Sequence, residues 1–168
     1  KIKSDSNFLF VDPQGFLRQK DSNGNVILKK TDLDLSDVNA IKINPEEGQN
    51  IVSGSHDEMM LALQKKGIEY VLLTNKVDVS LLVKNRVYSL KLPNKTVHDT
   101  TGIGDIFCSA FTCTMLKEKD FLWALCFAAG SAQAALESNN VGLQKIPKKG
   151  MVENNASYFY NLVDFRDL

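Results

Sequence analysis

The segment 99–105, with the sequence DTTGIGD, combines two glycines with an acidic residue just before a long apolar run. Gly102 and Gly104 allow backbone conformations that other residues avoid, and they let a ligand approach the main chain closely. The first N–H groups of a helix lack internal partners and lie at the positive end of its dipole, so such an end attracts a phosphate. A carboxylate at the same place, Asp105, can accept a proton from a hydroxyl that attacks a phosphoryl group. The segment therefore indicates anion binding and phosphoryl transfer.

The same residues also fit an ordinary helix start, because Asp and Thr are common caps and glycines mark turns. Two observations favour function. Asp105 is followed by an apolar run, where a charge without a role would be costly. The spacing also excludes the glycine patterns of dinucleotide-binding and P-loop proteins.

The composition is that of an ordinary globular chain. Its 168 residues predict about one domain, and 43% hydrophobic with 24% charged residues excludes wholesale disorder. Lys plus Arg and Asp plus Glu number 20 each, and this zero net charge argues against a general nucleic-acid binder. The three cysteines lack C-x-x-C spacing and indicate reduced thiols, hence a cytoplasmic protein. The longest uncharged run, 121–136, is too short to span a bilayer.

Strand and helix patterns alternate along the chain and predict an α/β fold with a largely parallel sheet. Asn23–Gly24 predicts a hairpin, and Asn44 and Ser55 each begin a capping-box pattern that predicts a helix start. Gly67 should end the second of these helices. Predicted strands cover 8–11, 16–18, 26–28, 40–43, 70–74, 77–83 and 86–92. Buried helices are predicted over 103–116 and 121–136, a loop over 146–150 and a last helix over 156–167.

The stretch 99–111, DTTGIGDIFCSAF, resembles the signature of the PfkB-type carbohydrate kinases, the ribokinase-like family, with Ile103 in place of the usual alanine. Weaker similarity covers 11–18, 44–47 and the Ala-rich helix before 141–147. The resemblance implies a three-layer ribokinase-like fold with a mostly parallel sheet, of which 1–168 would be the C-terminal, nucleotide-binding part. The family's N-terminal half, with its sugar-binding motif and β-sheet lid, has no counterpart in this sequence. We expect a segment to precede the chain, which begins without Met.

The resemblance also implies roles at the phosphate-binding turn. Asp105 would be the catalytic base. The backbone amides of Gly102, Ile103, Gly104 and Asp105 would form the anion hole for the transferring phosphate. Asp99 and Thr101 lie near the position where some members hold a monovalent cation such as K⁺.

Further residues would serve the nucleotide and Mg²⁺. Asn44 and Glu47 match the family's N-x-x-E, which helps organise Mg²⁺ and phosphate largely through water, although both residues also form a capping box. Thr74 matches a strand end near the nucleotide phosphates, but the residues after it, 75–78, lack the family's glycines. The helix lining the adenine pocket would include Ala129, Gly130 and Ser131, small residues that also permit close helix packing.

The expected activity is ATP-dependent phosphoryl transfer to a hydroxyl of a sugar or nucleoside, with Mg²⁺ and no nucleic-acid or membrane partner. A second copy of the chain or a preceding segment would complete the acceptor site. One alternative is a hydroxymethylpyrimidine-type kinase of the same superfamily. Two others are a non-catalytic nucleotide-binding module and a purely structural α/β domain.

Overall fold

The computed structural model describes residues 7–93, 99–138 and 140–168. The chain divides into two compact units. Unit 1 comprises Lys1–Asn75, Ser80–Val87 and Phe165–Leu168, and unit 2 comprises Lys76–Val79 and Tyr88–Asp164. In the part of the chain that the structure describes, no helix has both the length and the apolar character needed to cross a membrane.

The sheet begins with parallel strands in unit 1. β1 (Phe10–Val11) pairs with β4 (Ala40–Ile43), and β4 pairs with β5 (Tyr70–Thr74), both in parallel. Every residue of β4 is buried, as expected of a strand with neighbours on both sides. The strand order is β1-β4-β5-β6-β7-β8, where β6 is Asp78–Val83, β7 is Arg86–Lys91 and β8 is Asp164–Asp167.

The described residues include two hairpins, one formed by β2 and β3 and the other by β6 and β7. β2 (Arg18–Lys20) and β3 (Val26–Leu28) form a separate antiparallel sheet, and Gly24 takes the left-handed conformation in its turn. Lys84 and Asn85, with φ of 48° and 64°, join β6 to β7. Two consecutive residues with positive φ form a turn whose twist matches that of the strands that they connect.

The helices of unit 1 are short, and two of the three begin with a capping box. α1 is Gln14–Leu17, α2 is Pro45–Ile51 and α3 is His56–Lys65, and both predicted capping boxes are present. The apolar side chains of these elements meet in one core. Its buried members are Leu17, Leu35, Val38, Ile41, Ile43, Ile51, Met60, Leu63, Ile68, Val71, Leu73, Leu82 and Val87.

Unit 2 is built on three longer helices and a short 3₁₀ turn, Gly142–Lys145. α4 (Ile103–Glu118) and α6 (Lys149–Tyr160) both pack against α5 (Phe121–Leu136). The Asp120 side chain caps α5 by accepting from the amides of Leu122 and Trp123 at 2.9 and 3.0 Å. Most of α5 is buried, because its Ala-rich surface is covered along its length.

Three sequence predictions need correction. The strand predicted at 16–18 is partly helical, because the turn at Asp12–Pro13 continues into α1: Phe16 N–H donates to Pro13 O at 2.9 Å. The loop predicted over 146–150 ends earlier, since α6 already begins at Lys149. The helix predicted over 156–167 stops at Tyr160, and Asp164–Asp167 forms β8.

Long-range contacts explain why this last segment is a strand. In unit 1 the guanidinium of Arg86 lies 2.6 Å from Asp167 and 5.1 Å above the Phe165 ring. Arg166 forms an ion pair with Asp57 at 2.5 Å. These partners are distant in sequence, and they outweigh the helical tendency of the segment itself.

Candidate functional site

The turn before α4 presents unpartnered backbone amides. Gly102 is the N-cap residue with φ of 77°, and no side chain caps the helix. Ile103 N–H donates to Thr100 O at 3.3 Å, whereas within 7–93, 99–138 and 140–168 the amides of Gly102, Gly104 and Asp105 have no acceptor. A Cβ built on Gly102 would meet no atom within 4 Å. Among the described residues these three amides thus lack partners at the positive end of a 16-residue helix, an arrangement that suits an anion.

Asp105 is the third residue of α4 and is exposed. Its carboxylate has neither an ion-pair nor a hydrogen-bond partner in the described part of the chain. The sequence argument that burial would make an idle charge costly does not apply at this exposed position. What supports a role for Asp105 is its exposure next to three amides that, like its carboxylate, have no partner among the described residues.

Asp99 and Thr101, in the same turn, are held by a buried lysine. Lys145 Nζ donates to Asp99 O at 2.8 Å, to Asp99 Oδ2 at 3.0 Å and to Thr101 O at 3.4 Å. The Asp99 Oδ1 atom accepts from Thr101 N–H at 2.9 Å. Hydrogen bonds from the Thr101 side chain and amide, and then from Lys145, lower the pKa of Asp99 to about 2. The carboxylate therefore stays ionised at neutral pH.

Ala129, Gly130 and Ser131 lie in α5 and are buried. A Cβ on Gly130 would come within 2.9 Å of two backbone atoms of α6, Ala156 N and Val152 O. The Ser131 hydroxyl donates to Phe127 O at 2.8 Å inside its own helix. Gly130 thus permits close packing of α5 on α6, and the adenine contact of the three residues stays a prediction.

Asn44 and Glu47 lie in unit 1, where β4 ends and α2 begins. Asn44 Oδ1 accepts from Glu47 N–H at 2.8 Å, and Glu47 Oε2 accepts from Asn44 N–H at 3.0 Å, which is the predicted capping box. Glu47 is only 2% exposed, and the Gln14 amide nitrogen lies 3.5 Å from its other oxygen. Carboxylate and amide oxygens are ligands that hard cations prefer, but here both Glu47 oxygens already accept hydrogen bonds inside the protein. Among the residues that the structure describes, no three His, Cys, Asp or Glu side chains form a metal cluster.

Thr74 ends β5, and its hydroxyl donates to Ile43 O, the last residue of β4, at 3.4 Å. This bond brings Thr74 to the strand end from which Asn44 follows. The carboxyl ends of parallel strands are the usual place for a ligand in an α/β sheet. The structure thus places Thr74, Asn44 and Glu47 at one edge of unit 1.

The sequence analysis did not predict the ion pairs of two buried lysines. Lys145 makes the contacts with Asp99 described above, and Lys42, buried in β4, pairs with Asp12 at 2.6 Å. A lysine inside the apolar strand AIKI was a usable signal for Lys42, because a buried charge needs a partner. Nothing in the local sequence around Lys145 indicates its partner 46 residues away.

Solved structures show where this fold occurs. A pyrophosphate-dependent kinase in the ribokinase family, solved as a sulfate complex, superposes with a TM-score of 0.73 at 20% identity over 88% of this chain and 52% of that chain. Ribokinase from Thermotoga maritima gives 0.69 at 17% over 89% and 49%. Ribokinase from Arabidopsis thaliana, in complex with ribose and ATP, gives 0.60 at 21% over 73% and 42%. These likenesses confirm the predicted ribokinase-like α/β fold with a mostly parallel sheet.

The chain spans about half the length of these solved chains. Among curated proteins, no sequence matches it significantly. Residues 17–149 match the family model described as pfkB family carbohydrate kinase. That match covers most of the sequence and includes the whole turn before α4. The chain therefore belongs to the pfkB family of carbohydrate kinases.

Proposed function

We propose that this chain supplies the phosphate-binding and proton-accepting groups of an ATP-dependent kinase that acts on a hydroxyl of a sugar or nucleoside. The observation that carries the proposal is the start of α4, where three amides and the carboxylate of Asp105 have no partner among the described residues. Family membership supports it, because the match to the family model over residues 17–149 includes this segment. The activity needs an acceptor site, for which a segment preceding this chain or a second copy would provide residues.

In the proposed reaction the acceptor oxygen bonds to the γ-phosphorus while the bond from that phosphorus to the β-phosphate oxygen breaks. The amides of Gly102, Gly104 and Asp105 donate to the equatorial oxygens, where charge is spread in a loose transition state. Asp105 takes the hydroxyl proton late, as the new bond forms. ADP and the phosphorylated acceptor are the products, and the proton on Asp105 returns to solvent.

Mg²⁺, when bound, would neutralise charge on the donor phosphates. Asn44 and Glu47 are proposed to hold its water shell, a role supported by their match to the family's N-x-x-E pattern. The hydroxyl of Thr74 is proposed to serve the donor phosphates.

The phosphoryl donor has a second candidate. The burial of Ala129, Gly130 and Ser131 in α5, with Gly130 close to α6, favours a donor without a base, and a pyrophosphate-dependent kinase is among the similar structures. Pyrophosphate would use the same amides and the same carboxylate. Parallel assays with ATP and with pyrophosphate distinguish the two donors.

Replacement of the carboxylate tests the proposal. We expect Asp105→Asn to lower turnover by roughly 10²- to 10⁴-fold, the usual contribution of a general base, while donor binding survives. The assay uses the full chain with a panel of sugars, nucleosides and pyrimidine alcohols, and calorimetry measures donor binding. Glu118→Gln, an exposed change at the other end of α4, is the matched control and should leave turnover unchanged.

Near-normal turnover of Asp105→Asn would remove the base assignment. Donor binding by the wild type without turnover of any acceptor would instead support a non-catalytic nucleotide-binding module. Turnover restricted to pyrimidine alcohols would support the hydroxymethylpyrimidine-type kinase. Failure to bind either donor would leave a structural domain.

A further inference from the structure

Lys145 is buried, and its ammonium group contacts backbone carbonyl oxygens as well as a carboxylate oxygen. Its side chain is 3% exposed, and it lies at the end of the 3₁₀ turn, far in sequence from the residues that it contacts. Two of its three acceptors are backbone carbonyl oxygens, Asp99 O and Thr101 O. The third is the carboxylate oxygen Asp99 Oδ2. All three N–H donors of the ammonium group therefore have an acceptor on one short stretch of chain.

This acceptor set is the kind that a monovalent metal cation takes. Backbone carbonyls can replace the hydration shell of K⁺, and a single carboxylate balances its single charge. The separations of 2.8 and 3.0 Å from Nζ to the Asp99 oxygens leave no room for a metal ion among the same atoms. A metal ion and the ammonium group would also repel each other at such a distance. The residues present thus fit the ammonium group of Lys145 and not a metal ion taken from solution.

The position of the ammonium group links it to the phosphate-binding amides. Thr101, whose carbonyl it contacts, directly precedes Gly102, the N-cap of α4. Asp99 in turn accepts from the Thr101 amide, so that the lysine, Asp99 and Thr101 fix both ends of this short stretch. Whatever holds this stretch also sets the direction of the amides that follow it.

We propose that the ammonium group of Lys145 acts as a tethered replacement for a monovalent metal cation, and that it makes phosphoryl transfer by this protein independent of K⁺. Lys145 is a positioning residue, because it reaches the transferring phosphate only through the backbone of 99–102. A tethered cation needs no ion from solution, since its effective concentration is set by its own chain. The part of this inference that concerns turnover rests on the proposed kinase function, whereas the cation occupancy does not.

The first experiment compares salts with the wild-type full chain. Turnover and melting temperature are measured in potassium chloride and in tetramethylammonium chloride at equal ionic strength. We expect both quantities to be the same in the two salts, because the tetramethylammonium ion is too large to enter the site and K⁺ has no site to fill. A clear gain in turnover or melting temperature with K⁺ alone would overturn the proposal.

The second experiment opens the site. Lys145→Ala should lower turnover by about 10- to 100-fold in tetramethylammonium chloride, the usual cost of losing a group that orients a reacting one. K⁺ or ethylammonium should restore most of this loss and should raise the melting temperature of the variant. Lys145→Met fills the space with a neutral chain and should show the loss without the recovery. Lys149→Ala, a change at an exposed lysine of α6, is the control and should resemble the wild type.

The outcomes separate the proposal from simpler explanations. Recovery of neither turnover nor melting temperature by K⁺ or ethylammonium would mean that Lys145 is only a structural pin, which overturns the proposal. If no acceptor is phosphorylated under any condition, the proposed kinase function fails and the melting temperatures still decide the cation question. If Lys145→Ala does not fold in either salt, the wild-type comparison decides it alone.

Discussion

Gly130 offers a direct measure of how α5 and α6 fit together. A Cβ at this position would lie 2.9 Å from Ala156 N and from Val152 O, and 3.2 Å from Asn155 Cβ. Ordinary contacts begin at 3.4 Å, so the first two atoms are about half an ångström too close. Both are backbone atoms in the middle of α6, and they can retreat only if the helix shifts. Gly130→Ala should therefore force the two helices apart.

The expected cost follows from two opposing effects. Overpacking a well-filled interior costs about 1 to 3 kcal/mol, whereas replacing a glycine by alanine inside a helix returns about 0.5 to 1 kcal/mol. The net destabilisation should lie between about 0 and 2.5 kcal/mol, with a middle value of about 1 kcal/mol. For a chain of this size the middle value corresponds to a fall in melting temperature of roughly 2 to 4 °C.

Thermal and urea unfolding of Gly130→Ala measure this cost, and Gly150→Ala is the matched control. Gly150 lies in the first turn of α6, and a Cβ there would meet nothing within 4 Å. The control should be as stable as the wild type or slightly more stable. If Gly130→Ala matched the control, the close approach of α6 would be refuted. A selective loss of ATP affinity at unchanged stability would support the adenine contact instead.

Two further predictions concern ionisation. Because the pKa of Asp99 is lowered from 3.8 to about 2, its stabilising effect is present above pH 3.8 and is lost as the pH falls through about 2. The melting temperature of the wild type relative to that of Asp99→Asn should therefore fall over this pH interval. A constant difference between the two melting temperatures would contradict the contact between Asp99 and Lys145. Burial raises the pKa of Cys126 to about 12. At pH 8 a disulfide reagent should modify exposed Cys113 and leave Cys126 unmodified until the chain unfolds, as followed by mass spectrometry, and equal rates at both residues would contradict the burial.

Short-range features were predictable because the residues that determine them are neighbours. The capping boxes at Asn44 and Ser55 each depend on a glutamate three residues later, and both helices begin where that pattern indicates. The strands Ala40–Ile43 and Tyr70–Thr74 were also predicted to the residue, since apolar runs between turn residues delimit them. The glycine-containing turn before α4 combined a short motif with an apolar helix and was therefore visible in the sequence, whereas its anion binding stays a prediction.

Features that depend on distant partners were not predictable. The strand β8 depends on Arg86 and Asp57, which are 81 and 109 residues away from their partners in it. The role of Lys145 depends in the same way on Asp99. The exposure of Asp105 follows from the face of α4 that packs against α5, which an apolar helix with little periodicity does not reveal.

The contacts of β8 have a consequence for the order in which the chain folds. Unit 1 is discontinuous: the polypeptide passes between the units after residues 75, 79, 87 and 164. Closing the loop between Arg86 and Asp167 costs conformational entropy, which grows slowly with the length of the loop. The chain loses this entropy before the ion pair and the strand pairing can stabilise the structure. Such distant closures slow folding, so β8 should join late, after the local hairpin of β6 and β7 has formed. Because segments of the two units alternate along the chain, no single cut in the backbone would separate one intact unit from the other.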